Sequence, residues 1–191
     1  MSAFNNHWLI NAAKVPSPNH NARPDGVQPE LIVIHNISLP PGQFGGGWIQ
    51  RLFTNCLPAD ADPYFQTIHQ MQVSSHFLID RKGVVTQFVG CDRRAWHAGQ
   101  SEWKGRQNCN DFSIGIELEG TDDMPFEEAQ YLALVELVGN LLASYPTLEA
   151  SAITGHEHVA PGRKTDPGPF FDWPRLQQGI ERLLSVSGEQ A

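Results

Sequence analysis

Along the chain, short apolar runs alternate with Gly- and Pro-rich breaks, a rhythm that predicts strands and helices taking turns. Leu31-Ile32-Val33-Ile34 is rich in β-branched residues and apolar on both faces, as a buried strand should be, with His35 at its C-terminal end. Pro40-Pro41-Gly42 and Gly45-Gly46-Gly47 interrupt the chain before a predicted helix from Trp48 to about Leu57. Asp62-Pro63 then reads as the N-cap and first position of another helix, with Tyr64, Phe65 and Ile68 on one stripe. Ser75 to Ile79 and Val84 to Val89 flank Asp80-Arg81-Lys82-Gly83 and predict an antiparallel hairpin, with glycine where positive φ is needed. From Phe112 to Glu119 the period is two: Phe112, Ile114, Ile116 and Leu118 face one way, Ser113, Gly115, Glu117 and Glu119 the other. Asp122 to Ser144 carries the broadest helical stripe, Phe126 through Leu142, halted by Pro146. Ala152-Ile153-Thr154 predicts a last short strand, followed by a loop from His156 to Pro169 and a closing helix from about Asp172 to Val186.

These elements predict an α/β fold with a central mixed sheet flanked by helices. With 191 residues and 40% hydrophobic content, the chain suits one core rather than two. A single domain over 1–191 is expected, with its core at about 7–184 and flexible ends. His35, Glu117 and His156 each lie at or just beyond the C-terminal end of a predicted strand, the edge where open α/β sheets collect ligands. If those strands run parallel, the three side chains converge.

A net charge of −8 excludes the broad basic face that nucleic acid or an anionic membrane would require. Any anion must be met by local cations, either Arg93-Arg94 with Lys104 and Arg106, or Arg163-Lys164. Cys56, Cys91 and Cys109 are odd in number and lack metal-finger spacing, which favours a reducing compartment. The N-terminus has no signal-peptide pattern and no later run approaches membrane-spanning length, so a cytoplasmic protein is expected, without an inferred protein partner.

The loop Gly155 to Gly168 concentrates ionisable groups among Gly and Pro, as functional loops do. His156 and Asp166, joined by His35, would supply three ligands for Zn²⁺ and leave one position open. His156 with His158 is a second possible metal pair if that segment is extended. Cys91 or Cys109 with His97 would be a nucleophilic pair, although buried inert cysteine explains them as well. Glu117, carried by an apolar strand, suits proton transfer because burial raises a carboxyl pKa, and Glu119 on the same face is its rival.

Taken together, His35-Asn36, Ser75-His76-Phe77-Leu78-Ile79-Asp80, Ala95-Trp96-His97-Ala98-Gly99, Ser113 to Gly120 and Gly155 to Pro169 resemble the N-acetylmuramoyl-L-alanine amidase type 2 family. The most specific piece is Pro161-Gly162-Arg163-Lys164-Thr165-Asp166-Pro167-Gly168. The resemblance implies a peptidoglycan recognition protein-like fold and one zinc per chain held by His35, His156 and Asp166. It also implies Glu117 and Lys164 as catalytic groups, with Asn36, Tyr64, Trp96, His97 and Arg163 touching substrate. The implied reaction is hydrolysis of the amide joining (1,6-anhydro-)N-acetylmuramic acid to L-alanine in small muropeptides. The alternatives are a peptidoglycan-binding module without catalysis and an amidase acting on the polymeric wall.

Overall fold

Six strands form one mixed sheet in the computed structural model, which describes residues 2–188. They are β1 (Ala13–Lys14), β2 (Leu31–Ile37), β3 (Phe77–Ile79), β4 (Val85–Gln87), β5 (Ser113–Glu119) and β6 (Ile153–Gly155). Their spatial order is β6-β2-β5-β3-β4-β1. The four strands β6, β2, β5 and β3 are mutually parallel, whereas β3 and β4 form the predicted antiparallel hairpin, with Gly83 at φ 80° in its turn. The expected mixed sheet is therefore present, and the parallel half is the half that matters for function.

Among the described residues five α-helices flank the sheet: α1 (Trp48–Phe53), α2 (Phe65–Ile68), α3 (Glu128–Ser144), α4 (His156–Val159) and α5 (Trp173–Gly188). One sheet face carries Ile32, Ile34, Ile114, Ile116 and Leu118, which share a buried cluster with Leu134, Val138 and Leu141 of α3 and Leu176 and Ile180 of α5. Strand alternation turns Leu31, Val33 and His35 of β2, and Ser113, Gly115 and Glu117 of β5, to the opposite face. On that face Leu78 packs with Ile49, Leu52 and Phe53 of α1 and Phe65 of α2, while Leu31 and Val33 join Phe112 and Val159 in a separate cluster. Neither apolar cluster includes His35 or Glu117.

Several boundaries differ from the sequence reading for identifiable reasons. Helix α1 stops at Phe53, short of Leu57, because Asn55 enters the left-handed region at φ 58°. There the amides of Cys56 and Asn55 donate to the carbonyls of Arg51 and Leu52, the paired bonds of a Schellman cap. Helix α3 starts at Glu128 rather than Asp122: Glu127 is its N-cap, and the Glu127 amide donates to Gln130 Oε1. Phe126 lies before that cap and meets Tyr131 with ring centroids 6.5 Å apart, a hydrophobic staple rather than part of the helical stripe. Gln130 also donates from Nε2 to the carbonyls of Ile79 and Glu119, tying α3 to two strands. The segment after β6 is not a plain loop, since His156–Val159 forms a helical turn. Folded structure begins earlier than His7, because Phe4–Asn5 pairs with Trp8–Leu9 and Leu9 is buried. The expectation of flexible ends falls partly on Met1 and residues 189–191, which lie outside the described residues. No helix among the described residues is long and apolar enough to cross a membrane.

Candidate metal centre

Parallel pairing places His35 of β2 level with Glu117 of β5, and Gly155 of β6 level with Ile34. His156, one residue beyond Gly155, thus emerges beside His35 at the C-terminal edge of the sheet. The returning loop brings Asp166 to the same point, where the Glu157 amide donates to the Asp166 carbonyl. Asn36 clamps the loop from the strand side: its Nδ2 donates to Asp122 Oδ1 at 2.6 Å and to the Pro167 carbonyl at 3.0 Å.

The result is a triangle with His35 Nδ1, His156 Nδ1 and Asp166 Oδ2 at its corners and 3.0 Å along each edge. Both histidines are 2% exposed, so water does not relieve the contact. The protons on these rings follow from their other partners. His156 Nε2 lies 3.1 Å from the Ala98 carbonyl, which can only accept, so Nε2 carries the hydrogen, and in the neutral ring Nδ1 is bare. The Ser113 hydroxyl donates to the Cys109 carbonyl at 2.6 Å and must therefore accept from His97 Nε2 at 3.1 Å. That leaves His97 Nδ1 as an acceptor, and His35 Nε2 donates to it at 2.9 Å. With each ring holding one proton, His35 Nδ1 is bare as well. Burial lowers the pKa of His35 to about 4, and it holds His97 well below the ordinary imidazole range, so both rings stay neutral.

In these tautomers three acceptors converge with no hydrogen between them, an arrangement that a bound cation would satisfy. Donors around a tetrahedral ion held at about 2.0–2.1 Å lie roughly 3.3 Å apart, close to the observed edges. Two imidazoles and one carboxylate also match the ligand types zinc accepts, leaving an open coordination position. No other group of three His, Cys, Asp or Glu side chains among the described residues gathers in this way.

Glu117 lines the same cleft, is 7% exposed, and its Oε2 has no hydrogen-bond partner. Burial pushes its carboxyl well above the ordinary range, with the nearby Asp166 charge adding to the rise and Lys164 opposing it. Glu119, its rival in the sequence, is committed elsewhere: its oxygens accept from the Gly45 and Arg81 amides. Lys164 is exposed at the rim.

The open cleft has a volume of about 340 Å³ and is lined by Asn36, Tyr64, Trp96, His97, Lys164 and the triangle, with Leu52, Phe53, Ile68 and Met71 forming an apolar side. Arg163 is the expected contact that does not line it. Its guanidinium donates to the carbonyls of Ala98 at 2.5 Å and Gln100 at 2.7 Å, bracing the segment that orients His156. His158 also stays apart, with an exposed side chain 3.8 Å from Glu157, because a helical turn sends positions 156 and 158 in different directions. The Cys91 thiol is pushed up to about 12 by burial, and burial raises Cys109 too, so neither serves as a thiolate nucleophile. The sequence reading missed Ser113, Gly115, Asn110 and Ala98. Ser113 and Gly115 share the alternating face with Glu117 and were detectable there, whereas Ala98 acts through its carbonyl and has no residue-type signature.

Residues 25–169 match the family model described as N-acetylmuramoyl-L-alanine amidase. The chain is 55% identical to 1,6-anhydro-N-acetylmuramyl-L-alanine amidase AmpD of Salmonella typhimurium strain SL1344, over 89% of this chain and 90% of that protein. A crystal structure of a selenomethionine AmpD derivative superposes with a TM-score of 0.90 at 51% identity, covering 93% of this chain and 98% of that one. The E. coli amidase AmiD, solved with the substrate anhydro-N-acetylmuramic acid-L-Ala-D-γ-Glu-L-Lys, superposes at 0.58 with 32% identity, covering 82% of this chain and 60% of that one.

Proposed function

The chain belongs to the N-acetylmuramoyl-L-alanine amidase family, and we propose that it works with one Zn²⁺ held by His35, His156 and Asp166. It is an amide hydrolase that separates 1,6-anhydro-N-acetylmuramic acid from L-alanine, the activity named in its relative at 55% identity. The observation that carries the zinc assignment is the convergence of two bare Nδ1 atoms and a carboxylate oxygen within 3.0 Å of one another. When bound there, Zn²⁺ supplies Lewis acidity toward the scissile amide and its attacking water.

The remaining chemistry falls to the chain's own residues. Glu117, desolvated and without a partner at Oε2, takes a proton from the attacking water and delivers it to the departing alanine nitrogen. Lys164, at the rim, balances negative charge developing on the carbonyl oxygen. Trp96, Tyr64 and the apolar side of the cleft provide surface for a small muropeptide like the one bound to AmiD. Three unpaired cysteines agree with a reducing, cytoplasmic setting and a part in cell-wall recycling.

Mass spectrometry of products from anhydro-muropeptide, with metal-loaded and chelated protein and insoluble peptidoglycan in parallel, tests this reading. Release of the intact peptide only by the metal-loaded protein, and faster from the soluble substrate, is the expected outcome. Binding without cleavage would identify a recognition module instead.

A further inference from the structure

Three features around His97 point to a duty other than touching substrate. Its ring lies against the sheet where Gly115 leaves room: a Cβ at position 115 would come within 2.5 Å of His97 Cγ. Its backbone is pinned by Asn110, whose Oδ1 accepts from the amides of His97 at 3.2 Å and Ala98 at 2.8 Å. Both its ring nitrogens are engaged, Nδ1 by His35 and Nε2 by Ser113. A group so occupied has no polar atom left for a muropeptide.

We propose that His97 is a positioning residue that selects the tautomer of His35, holding it with the proton on Nε2 so that Nδ1 faces the metal. The selection runs from the Cys109 carbonyl through the Ser113 hydroxyl and the His97 ring, and each link has one permitted direction of donation. Every member of this relay is neutral, unlike the carboxylates that often back metal-bound histidines. It orients His35 without adding negative charge, so the bound cation keeps more of its own charge for the amide carbonyl. The inference rests on the zinc reading above and concerns which side chain prepares the ligand.

The test is nitrogen-resolved NMR of the imidazoles in metal-free protein, joined to zinc affinity by competition with a chromophoric chelator. Wild-type protein is expected to show His35 protonated on Nε2 alone. His97→Phe fills the ring volume without an acceptor, and should mix the His35 tautomers and weaken zinc binding about 10- to 100-fold. His97→Asn, which keeps an acceptor near the Nδ1 position, should restore much of both. Gly115→Ala displaces the ring while leaving every polar group in place, and should act in the same direction as His97→Phe even if the latter fails to fold. Wild-type protein that binds no zinc would defeat the zinc reading itself. Zinc-binding protein whose metal-free His35 carries its proton on Nδ1, or unchanged affinity in a folded His97→Phe or Gly115→Ala protein, would overturn the role of His97 alone.

Discussion

His35 and Glu117 stand level on neighbouring parallel strands, yet His35 Nε2 donates to His97 while Glu117 leaves Oε2 without a partner. A buried carboxylate oxygen with no donor costs stability, and such groups are retained where proton transfer needs them.

Glu117→Gln keeps the shape and removes the proton traffic. The rate should fall about 10²- to 10⁴-fold, with zinc content and substrate affinity nearly unchanged. Removing a desolvated carboxyl should leave stability unaffected or slightly higher. Steady-state kinetics beside thermal unfolding check both, and near-normal turnover would remove Glu117 from the mechanism.

Chelation should abolish turnover while leaving the far-ultraviolet circular dichroism spectrum close to native. The α3–α5 core lies on the opposite face of the sheet from the triangle and does not depend on it. His35→Ala, His156→Ala and Asp166→Ala should each lose tight zinc binding. His158→Ala should retain it, because His158 takes no part in the triangle. Zinc titration of the four proteins decides the matter.

Lys164→Ala should lower kcat about 10²- to 10³-fold with full zinc, the loss typical of one oxyanion donor. Loss of metal from the same preparation would instead make Lys164 a support for Asp166. Arg163→Ala has a different signature. Its guanidinium braces the Ala98 carbonyl that holds His156, so its removal should weaken zinc binding rather than raise KM alone.

Acid should destabilise the protein partly through His76, whose pKa is lowered to about 3 by burial first and then by the nearby Arg23 charge. His76 Nδ1 accepts from the Gly115 amide while Nε2 donates to the Arg93 carbonyl, so a second proton would break the first bond. The unfolded chain takes up that proton near the ordinary value of about 6.5. Stability contributed by His76 is thus present above about pH 6.5 and lost as pH falls toward 3, by about 1.4 kcal/mol per pH unit. Urea unfolding across that range should show a flatter slope for His76→Gln, and equal slopes would refute the account.

The site was more legible in the sequence than its surroundings. The strands that carry His35 and Glu117 were readable because a β-branched run and a clean period of two leave little choice of element, although the first continues to Ile37, past the end that its apolar run suggested. Their level register was not, since nothing in either strand states which residue faces which. Position 156 was misread as loop because Gly and Pro crowd both sides of one helical turn, and Phe126 lent α3 six residues it does not own. Arg163 looked like a substrate contact because its partners are carbonyls, which no residue type announces. The same blindness hid the relay behind His35, where tautomer and direction of donation carry the information.

His35 and His156 are 121 positions apart in the chain, and His35 and Asp166 are 131 apart. Parallel pairing of β2 with β6 therefore closes a loop spanning most of the molecule, the kind of non-local contact that slows folding. Growing from its N-terminus, the chain can pair β2 with β5 while the last third is still being synthesised, but it has no metal pocket until Asp166 has emerged and β6 has docked. Capacity to hold the proposed metal is thus acquired late and all at once, when the last parallel strand and its loop dock.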